Sequence, residues 1–414
     1  MERVREKIEK LLLIWFLILI PTQIGKHFWP EWSQVMGLRI DYLSPVLYVV
    51  DIIWIGMFLS RGLRTKKINR EKLFSFGNLV IIAVVVINII LAKNRWIAGY
   101  KWLRLGQWWW TVWYLKTRKD WGKEILLWVI PVWVTVEVFL GLGQLIWGGS
   151  LGGIFYWLGE RRFALGTVGI ARMNILNESV LRAYGTFSHP NSLAGFLLVS
   201  MGLWWWIRKK REINKLWWWG VWWMMILGIV ISGSRWVWFL GWGSINWWLF
   251  WQKNVGVKRI LGTNLVLLGA VILVLAMVNS NYRLNDFFWG WDKGSLDKRA
   301  GLNMVALKMI WNRPWFGVGA GNFLTELPNY QRNNASFWLQ PVHNIILLGL
   351  AEIGMVGMIM FLGITRKMVD LKKWLASKER LMLMGMVLLT GMTDHFWVTL
   401  PQNSWLLAVM LGLV

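Results

Sequence analysis

Long apolar runs, separated by short clusters of charged residues, constrain this chain more than any other feature of its sequence. Most of the runs are long enough for a helix to cross the hydrocarbon core of a bilayer, which takes about 20 residues. Of the 414 residues, 56% are hydrophobic and 16% are charged, and the mean hydropathy is +0.45. Soluble proteins average about a quarter charged residues. The sequence therefore predicts an all-α integral membrane protein.

Hydropathy predicts about twelve transmembrane helices, which would place both termini on one side of the membrane. The last two are short, so about ten or eleven spans are the alternatives. The predicted spans are residues 11–24, 43–60, 73–92, 96–115, 125–147, 191–207, 216–232, 236–252, 260–278, 343–364, 381–393 and 402–414.

Basic residues set the predicted orientation. Of the 46 Lys and Arg residues, about 28 fall in six short segments that are cytoplasmic if both termini are cytoplasmic, as the positive-inside rule requires. We therefore interpret the net charge of +25 as topology rather than nucleic-acid binding. Two long segments then face outward, and the chain divides into regions 1–147, 148–190, 191–278, 279–342 and 343–414.

The residue types that are abundant or missing narrow the chemistry. The 37 tryptophans fit anchoring at the membrane interface, with carbohydrate stacking as the alternative for some in the outer segments. The chain has no cysteine, which excludes disulfides, thiolate metal sites and cysteine nucleophiles. The outer segments contain no Asp-x-Asp, no His-Glu-x-x-His and no paired carboxylates at ligand spacing. We therefore expect no metal and no cofactor.

The densest polar cluster in the outer segments begins at Arg182 and precedes the predicted span at 191–207. Pro190 and Asn191 suit the start of a helix, and Asn191 or Ser192 could cap it. A helix N-terminus with an arginine alongside could instead bind an anion. The residues alone leave both interpretations open.

A second candidate is Arg235, which ends the short turn that begins at Ser232. A lone arginine at a membrane surface can snorkel towards water. A guanidinium group can also bind phosphate with two parallel hydrogen bonds, so Arg182 and Arg235 together could neutralise a diphosphate.

A third candidate lies between Arg313 and Asn344. Gly317, Gly319 and Gly321 follow Arg313, but they lack the Lys-Ser/Thr ending of a phosphate loop and are expected to form a tight turn. His343 and Asn344 open the next predicted span, where His343 could be a structural histidine or a general base. The pair Asp394 and His395, at the outer end of a later span, could reach the same face.

As a set, these elements resemble the O-antigen ligase and O-antigen polymerase family of bacterial envelope glycosyltransferases. The resemblance is detailed over about residues 150–365 and is carried by Arg182, Gly185, Thr186, Phe187, His189, Pro190, Asn191, Ser234, Arg235, Arg313, Pro314, Gly317, Gly319, Gly321, Asn322, Phe323, His343 and Asn344.

The resemblance implies a C-type, all-helical glycosyltransferase in the bacterial cytoplasmic membrane, with its two long loops outside. Its reaction would be metal-independent transfer of a glycan from a polyprenyl diphosphate carrier to a hydroxyl of a glycan, lipid or protein acceptor. By the family's motif, Arg182 and Arg235 would hold the diphosphate and His343 would activate the acceptor. The further residues predicted to bind substrate are His189, Asn191, Arg313, Asn344, Asp394 and His395.

The sequence leaves a ligase, a polymerase and a transporter open as functions. Ligase and polymerase branches of the family share these motifs, so the motifs do not separate them. A lipid-linked glycan flippase or other transporter would also have about twelve spans, and it predicts ionisable residues at mid-membrane together with an internal repeat. Asp51 and Glu137 lie inside predicted spans, but no repeat is detectable. We expect inversion at the anomeric carbon, because no carboxylate is evidently placed as a covalent nucleophile.

Overall fold

The structure, a computed structural model, describes residues 2–62, 75–175, 178–208, 214–250, 293–331 and 339–414, with short pieces between 256 and 269. It is mostly helical. The helices in these ranges are α1 (Glu2–Leu19), α2 (Val49–Gly62), α3 (Phe76–Leu91), α4 (Arg95–Thr117), α5 (Lys119–Trp147), α6 (Pro190–Arg208), α7 (Lys215–Ile231), α8 (Arg235–Phe250), α9 (Lys293–Asn312), α10 (Phe323–Tyr330), α11 (Ile345–Met368), α12 (Leu371–Leu375), α13 (Lys378–Gly391), α14 (Phe396–Thr399) and α15 (Pro401–Leu413).

Most described helices match a predicted span to within several residues, but α1 is Glu2–Leu19 where 11–24 was predicted, and α9, α10, α12 and α14 match no predicted span. Of the described helices, α5 and α11 are long and apolar enough to cross a membrane, and α3 and α7 are shorter apolar helices. Most of the predicted span at 260–278 lies outside the described residues, which include only 261–265 and 268–269 of it. Twelve spans and their orientation therefore remain predictions.

Short antiparallel strand pairs accompany the helices. β1 (Gly25–His27) pairs with β4 (Val46–Tyr48), β2 (Gln34–Val35) with β3 (Leu38–Arg39), and β5 (Arg172–Ile175) with β6 (Glu178–Leu181). The predicted start of the second span at residue 43 was wrong, because residues 46–48 pair with β1 and the helix begins only at Val49. Hydropathy detects the apolar side chains of this stretch, but it does not reveal the strand with which the stretch pairs.

Helix α6 forms the centre of the bundle. Every residue from 192 to 204 is buried, as expected for a helix that is apolar on all sides. It packs against α5, α7, α8, α13 and α15. The first turn of α6 carries candidate site residues, so this burial fixes their position.

A smaller apolar core lies beneath α9 and α10. These two helices, from the predicted outer segment, pack on the first turns of α4 and α11 and on the loop around β2 and β3. This cap core comprises Val35, Ile40, Leu43, Ile97, Leu302, Val305, Ala306, Met309, Val318, Phe323, Leu324, Leu327, Val342, Leu348 and Ala351.

Helix α11 is broken at Gly354, where the glycine-rich loop inserts. Gly354 has φ +65° and ψ −176°, so the helical hydrogen-bond pattern is interrupted there. The loop replaces the lost bonds: Met355 N–H donates to Pro314 O (2.8 Å), and Gly319 N–H donates to Glu352 O (2.9 Å). Gly317, Gly319 and Gly321 all have positive φ. The predicted tight turn is therefore confirmed, and it holds the start of α11 in place.

Replacement of Gly354 by alanine should destabilise the protein. Its Cβ would lie 2.4 Å from Trp315 C and O, and its φ is one that alanine rarely adopts, a strain of about 1–3 kcal/mol before any clash. Gly363→Ala is the matched control, because it lies in the same helix with open space around it. We expect thermal unfolding in detergent to shift downward by several degrees for Gly354→Ala only; equal unfolding temperatures would contradict this account.

Candidate functional site

The segment that carries Arg182 and His189 is anchored by a buried carboxylate of α5. Thr186 donates to Glu137 through its backbone N–H (2.8 Å) and its hydroxyl (2.7 Å). Gly185, with φ +58°, has no room for a side chain, since a Cβ would lie 2.1 Å from Glu137 Oε2. Gln144 accepts from Gly185 N–H (2.8 Å) and donates to its carbonyl (2.9 Å). Glu137 therefore has a structural role here. That role explains a carboxylate inside a predicted span without a transport pathway.

Arg182 connects this segment to the turn before α8. Its Nε donates to Ser232 O (2.7 Å), and its Nη2 donates to Asn191 Oδ1 (2.6 Å). Gly233, at φ +64°, lets the turn approach the guanidinium group, because a Cβ there would lie 3.1 Å from Arg182 Nε. Burial lowers the pKa of Arg182 to about 10, and the charge of Arg235 acts in the same direction. Arg182 and Arg235 are therefore close enough in the structure for the charge of one to act on the other.

The side chain of Asn191 bridges Arg182 and Asp394 through two hydrogen bonds. Its Nδ2 donates to Asp394 Oδ2 (3.0 Å) while its Oδ1 accepts from Arg182. The expectation that Asn191 or Ser192 caps α6 was wrong: Asn191 bridges two charges, and the Ser192 hydroxyl bonds to Asn403 of α15. His189 Nδ1 instead accepts from the Asn191 backbone N–H (3.2 Å) at the helix start.

Asp394 joins the two histidines of the site. Its Oδ1 accepts from the backbone N–H of His395 (2.8 Å) and lies 3.6 Å from His343 Nδ1. Burial acts to raise the pKa of Asp394, but the interactions with His343, His395 and His189 outweigh it and hold that pKa well below its usual range. Asp394 is therefore an anion, positioned to orient His343.

Burial also affects His395 and His189. Burial lowers the pKa of His395 to about 4 and that of His189 to about 3, although Asp394 acts to raise both. The His395 and His343 rings lie 5.0 Å apart, and His395 Nδ1 forms a hydrogen bond with the Thr399 hydroxyl (2.7 Å). The edge of the Tyr42 ring contacts His395 from the opposite loop.

Three of these groups are close enough to share a metal ion. One ligand atom from each of His343, Asp394 and His395 lies within 4.8 Å of the other two. The hydrogen bonds from Asn191 and Thr399 already engage Asp394 and His395. Absence of a metal therefore stays a prediction, which a chelator can test.

Two predicted residues have other surroundings. Asn344 caps α11, its Oδ1 accepting from the N–H groups of Ile346 (2.9 Å) and Leu347 (3.1 Å). Arg313 is exposed and donates to Leu91 O at the end of α3 (3.3 Å). Neither contact reaches the carboxylate of Asp394; Asn344 also donates to Met392 O (3.3 Å), two residues before Asp394, whereas the contact of Arg313 is with the end of α3.

Arg299 is a cation of the site that the sequence analysis missed. It lies in α9, and its charge acts on both Arg182 and His395. It belongs to none of the motifs that carry the family resemblance, and it lies 96 positions before His395 and 117 positions after Arg182, so only the packing of α9 on the bundle could reveal it.

Comparison with known families places this geometry in context. Residues 220–362 match the family model for O-antigen ligase. The family resemblance is confirmed. The matched segment contains Arg235, Arg299 and His343, whereas Arg182 and Asp394 lie outside it. No curated protein and no solved structure matches the chain.

The O-antigen ligase family is membrane-associated, and its members are glycosyltransferase-like enzymes. The match therefore indicates glycan transfer in O-antigen assembly. The apolar helices of the structure agree with a membrane location.

The lowered histidine pKa values predict acid sensitivity. As pH falls below the unfolded-state value of 6.5, the unfolded chain protonates His189 and His395 before the folded protein does. The stability they contribute is complete above about pH 6.5 and is lost as pH falls towards their folded-state values. We expect the unfolding temperature to fall between about pH 7 and 5, and to fall less in His395→Gln. Each protein is compared with its own unfolding temperature at pH 8, so that packing lost in the variant does not affect the comparison. An equal fall in both proteins would contradict this assignment.

Proposed function

We propose that the protein transfers a glycan from a polyprenyl diphosphate carrier to an acceptor hydroxyl, at the outer face of the bacterial cytoplasmic membrane. The observation that carries the proposal is the hydrogen-bonded series Arg182–Asn191–Asp394, with His343 at its end. This series links two functions. The arginine cations suit a leaving diphosphate, and the imidazole of His343, oriented by a carboxylate, suits an acceptor hydroxyl. The same geometry serves an acceptor on a core glycan or on a second lipid-linked chain.

The cations act on the leaving group. As the bond between the anomeric carbon and the phosphate oxygen breaks, the electron pair stays with the diphosphate, and its charge needs stabilisation. Arg182 is already fixed by Ser232 and Asn191, so its charge is in place before the reaction. Arg235, in the first turn of α8, adds a second guanidinium group. Together they can supply this stabilisation without a metal.

His343 acts on the acceptor. Its Nδ1 is the nitrogen near Asp394, so Nε2 is on the opposite side of the ring. Nε2 takes the proton of the acceptor hydroxyl as the oxygen forms its bond to the anomeric carbon. Asp394 then stabilises the imidazolium ion that forms, as a carboxylate does when it orients a catalytic histidine. One direct displacement inverts the anomeric carbon.

A cavity beside the site suits the tail of a lipid-linked substrate. It has a volume of about 420 Å³ and lies between α4, α11, α13 and α15. Tyr42 and Thr399, both of which contact His395, line its upper end, and Phe361 and Leu411 line its deeper part. Its lining along α11 extends from Ile345 to Thr365, on both sides of the break at Gly354. Most of the lining is apolar, and Lys101, Arg104 and Glu352 add charged groups, so the cavity suits an amphiphile.

Transfer in vitro tests the chemistry. With purified protein, a lipid-linked glycan and acceptors, we expect His343→Ala to lower kcat by about 10²–10⁴-fold and Arg235→Ala by about 10²–10³-fold. Arg235→Lys should restore only part of the activity, because it keeps the charge but loses the fork. His27→Ala and Arg161→Ala are matched controls in β1 and the outer loop. Abolition of transfer by a chelator, or full activity in His343→Ala, would overturn the mechanism.

Narrowing the cavity mouth should weaken binding of the lipid tail. Val398 lines the cavity, and Val398→Trp should raise KM at least about tenfold for a long-chain polyprenyl donor while leaving a short-chain analogue unaffected. Val132→Trp is the control, since Val132 is a similarly exposed valine on α5. An equal KM for both chain lengths would show that the tail binds elsewhere.

A further inference from the structure

An open groove runs along α9 and α10 next to the cap core, and Val305 belongs to both. It has a volume of about 800 Å³. A shallower hollow of about 450 Å³ adjoins it and shares Met304, Lys308, Asn312 and Tyr330. On α9, the residues of the opposite face, such as Leu302 and Ala306, are buried in the cap core. The groove is therefore held open by a packed support.

The groove is lined by the side-chain types that bind sugars. Planar amides and a carboxylate offer paired donors and acceptors to neighbouring hydroxyl groups. Glu326, which is 5% exposed, accepts from Asn329 Nδ2 (2.7 Å), and Asn312 Nδ2 lies 3.4 Å from the Tyr330 hydroxyl. Gln331 Oε1 is shielded from solvent yet has no hydrogen-bond partner among the described residues. A buried unpaired acceptor is costly, and a ligand hydroxyl group would satisfy it.

An aromatic surface completes this lining. Trp311 is 86% exposed and forms one wall of the adjoining hollow, opposite Tyr330. Most of the ring is therefore open to a ligand in the hollow. An aromatic face next to amide groups can stack on the apolar face of a sugar ring while the amides bind its hydroxyl groups.

The groove leads away from the candidate site. Its lining on α9 begins at Gly301, two residues from Arg299, whose charge acts on Arg182 and His395. From Gly301 to Asn312 the helix advances about 16 Å. A chain whose first sugar is at the diphosphate could therefore continue along this face.

We propose that this groove binds the glycan chain of the lipid-linked donor beyond its reacting sugar, so that the enzyme holds a long donor by its sugars as well as by its diphosphate. This inference rests on the proposed function. The ligand class is an oligosaccharide, which amide, carboxylate and aromatic groups of the groove would bind.

Binding of a lipid-free glycan tests the groove separately from catalysis. The probe is the donor oligosaccharide after hydrolysis from its diphosphate carrier, added to full-length His343→Ala protein in nanodiscs. We expect Trp311→Ala, and Asn329→Ala separately, to raise Kd at least about tenfold. Trp157→Ala is the matched control, because Trp157 is 70% exposed in the other outer segment. An unchanged Kd in both groove variants, an equal loss in Trp157→Ala, or no binding by any protein would overturn the inference.

Kinetics with donors of two lengths give the second readout. In the otherwise unaltered protein, Trp311→Ala should raise KM for a donor with several repeats and leave KM for a single-repeat donor unchanged. An equal KM increase for both donors would contradict a chain-binding role. If the free glycan binds but no lipid-linked glycan is transferred, the proposed transfer function is wrong, whereas glycan binding in the groove is supported.

Discussion

A carboxylate placed inside an apolar helix bundle must accept hydrogen bonds, because burying it unpaired costs several kcal/mol. Three carboxylates of this protein obtain those bonds from the segments that build the site. Glu137 binds Thr186, Glu352 accepts from Gly321 N–H (2.8 Å), and Asp394 binds Asn191 and the backbone of His395. Each carboxylate thus fixes a loop that would otherwise leave backbone groups without partners.

The same constraint explains why the site is rigid before substrate arrives. Arg182 is bonded on both sides, and Asn191 occupies the first turn of α6, which is buried from residue 192 to residue 204. Charges that are already oriented need no reorganisation when charge develops in the transition state. The O-antigen ligase family match covers the part of this arrangement that contains Arg235 and His343. The remaining partners, Arg182, Asn191 and Asp394, come from segments on either side of the matched residues.

Particular elements show how far sequence reasoning reached. The helix that begins at Pro190 was predicted within one residue, because proline and a long apolar run mark it plainly. The strand β4 was missed, since a two-stranded pairing depends on a distant segment. The pair Asp394 and His395 was given less weight than His343, although Asp394 proves to be the link between His343 and Asn191. Arg299 was missed altogether, because no motif contains it.

The sequence by itself determined the helical membrane character, the approximate limits of most helices and the residue types available for diphosphate and acceptor chemistry. These depend on local composition and spacing, which a single chain displays directly. Only the tertiary structure decided which of the candidates meet. Asn191 and Asp394 are 203 residues apart in sequence, and their contact arises because α6, α13 and α15 pack together in one core. Such long-range contacts leave no local pattern, so packing alone shows that His395 lies within the cluster and that Arg313 contacts the end of α3 instead.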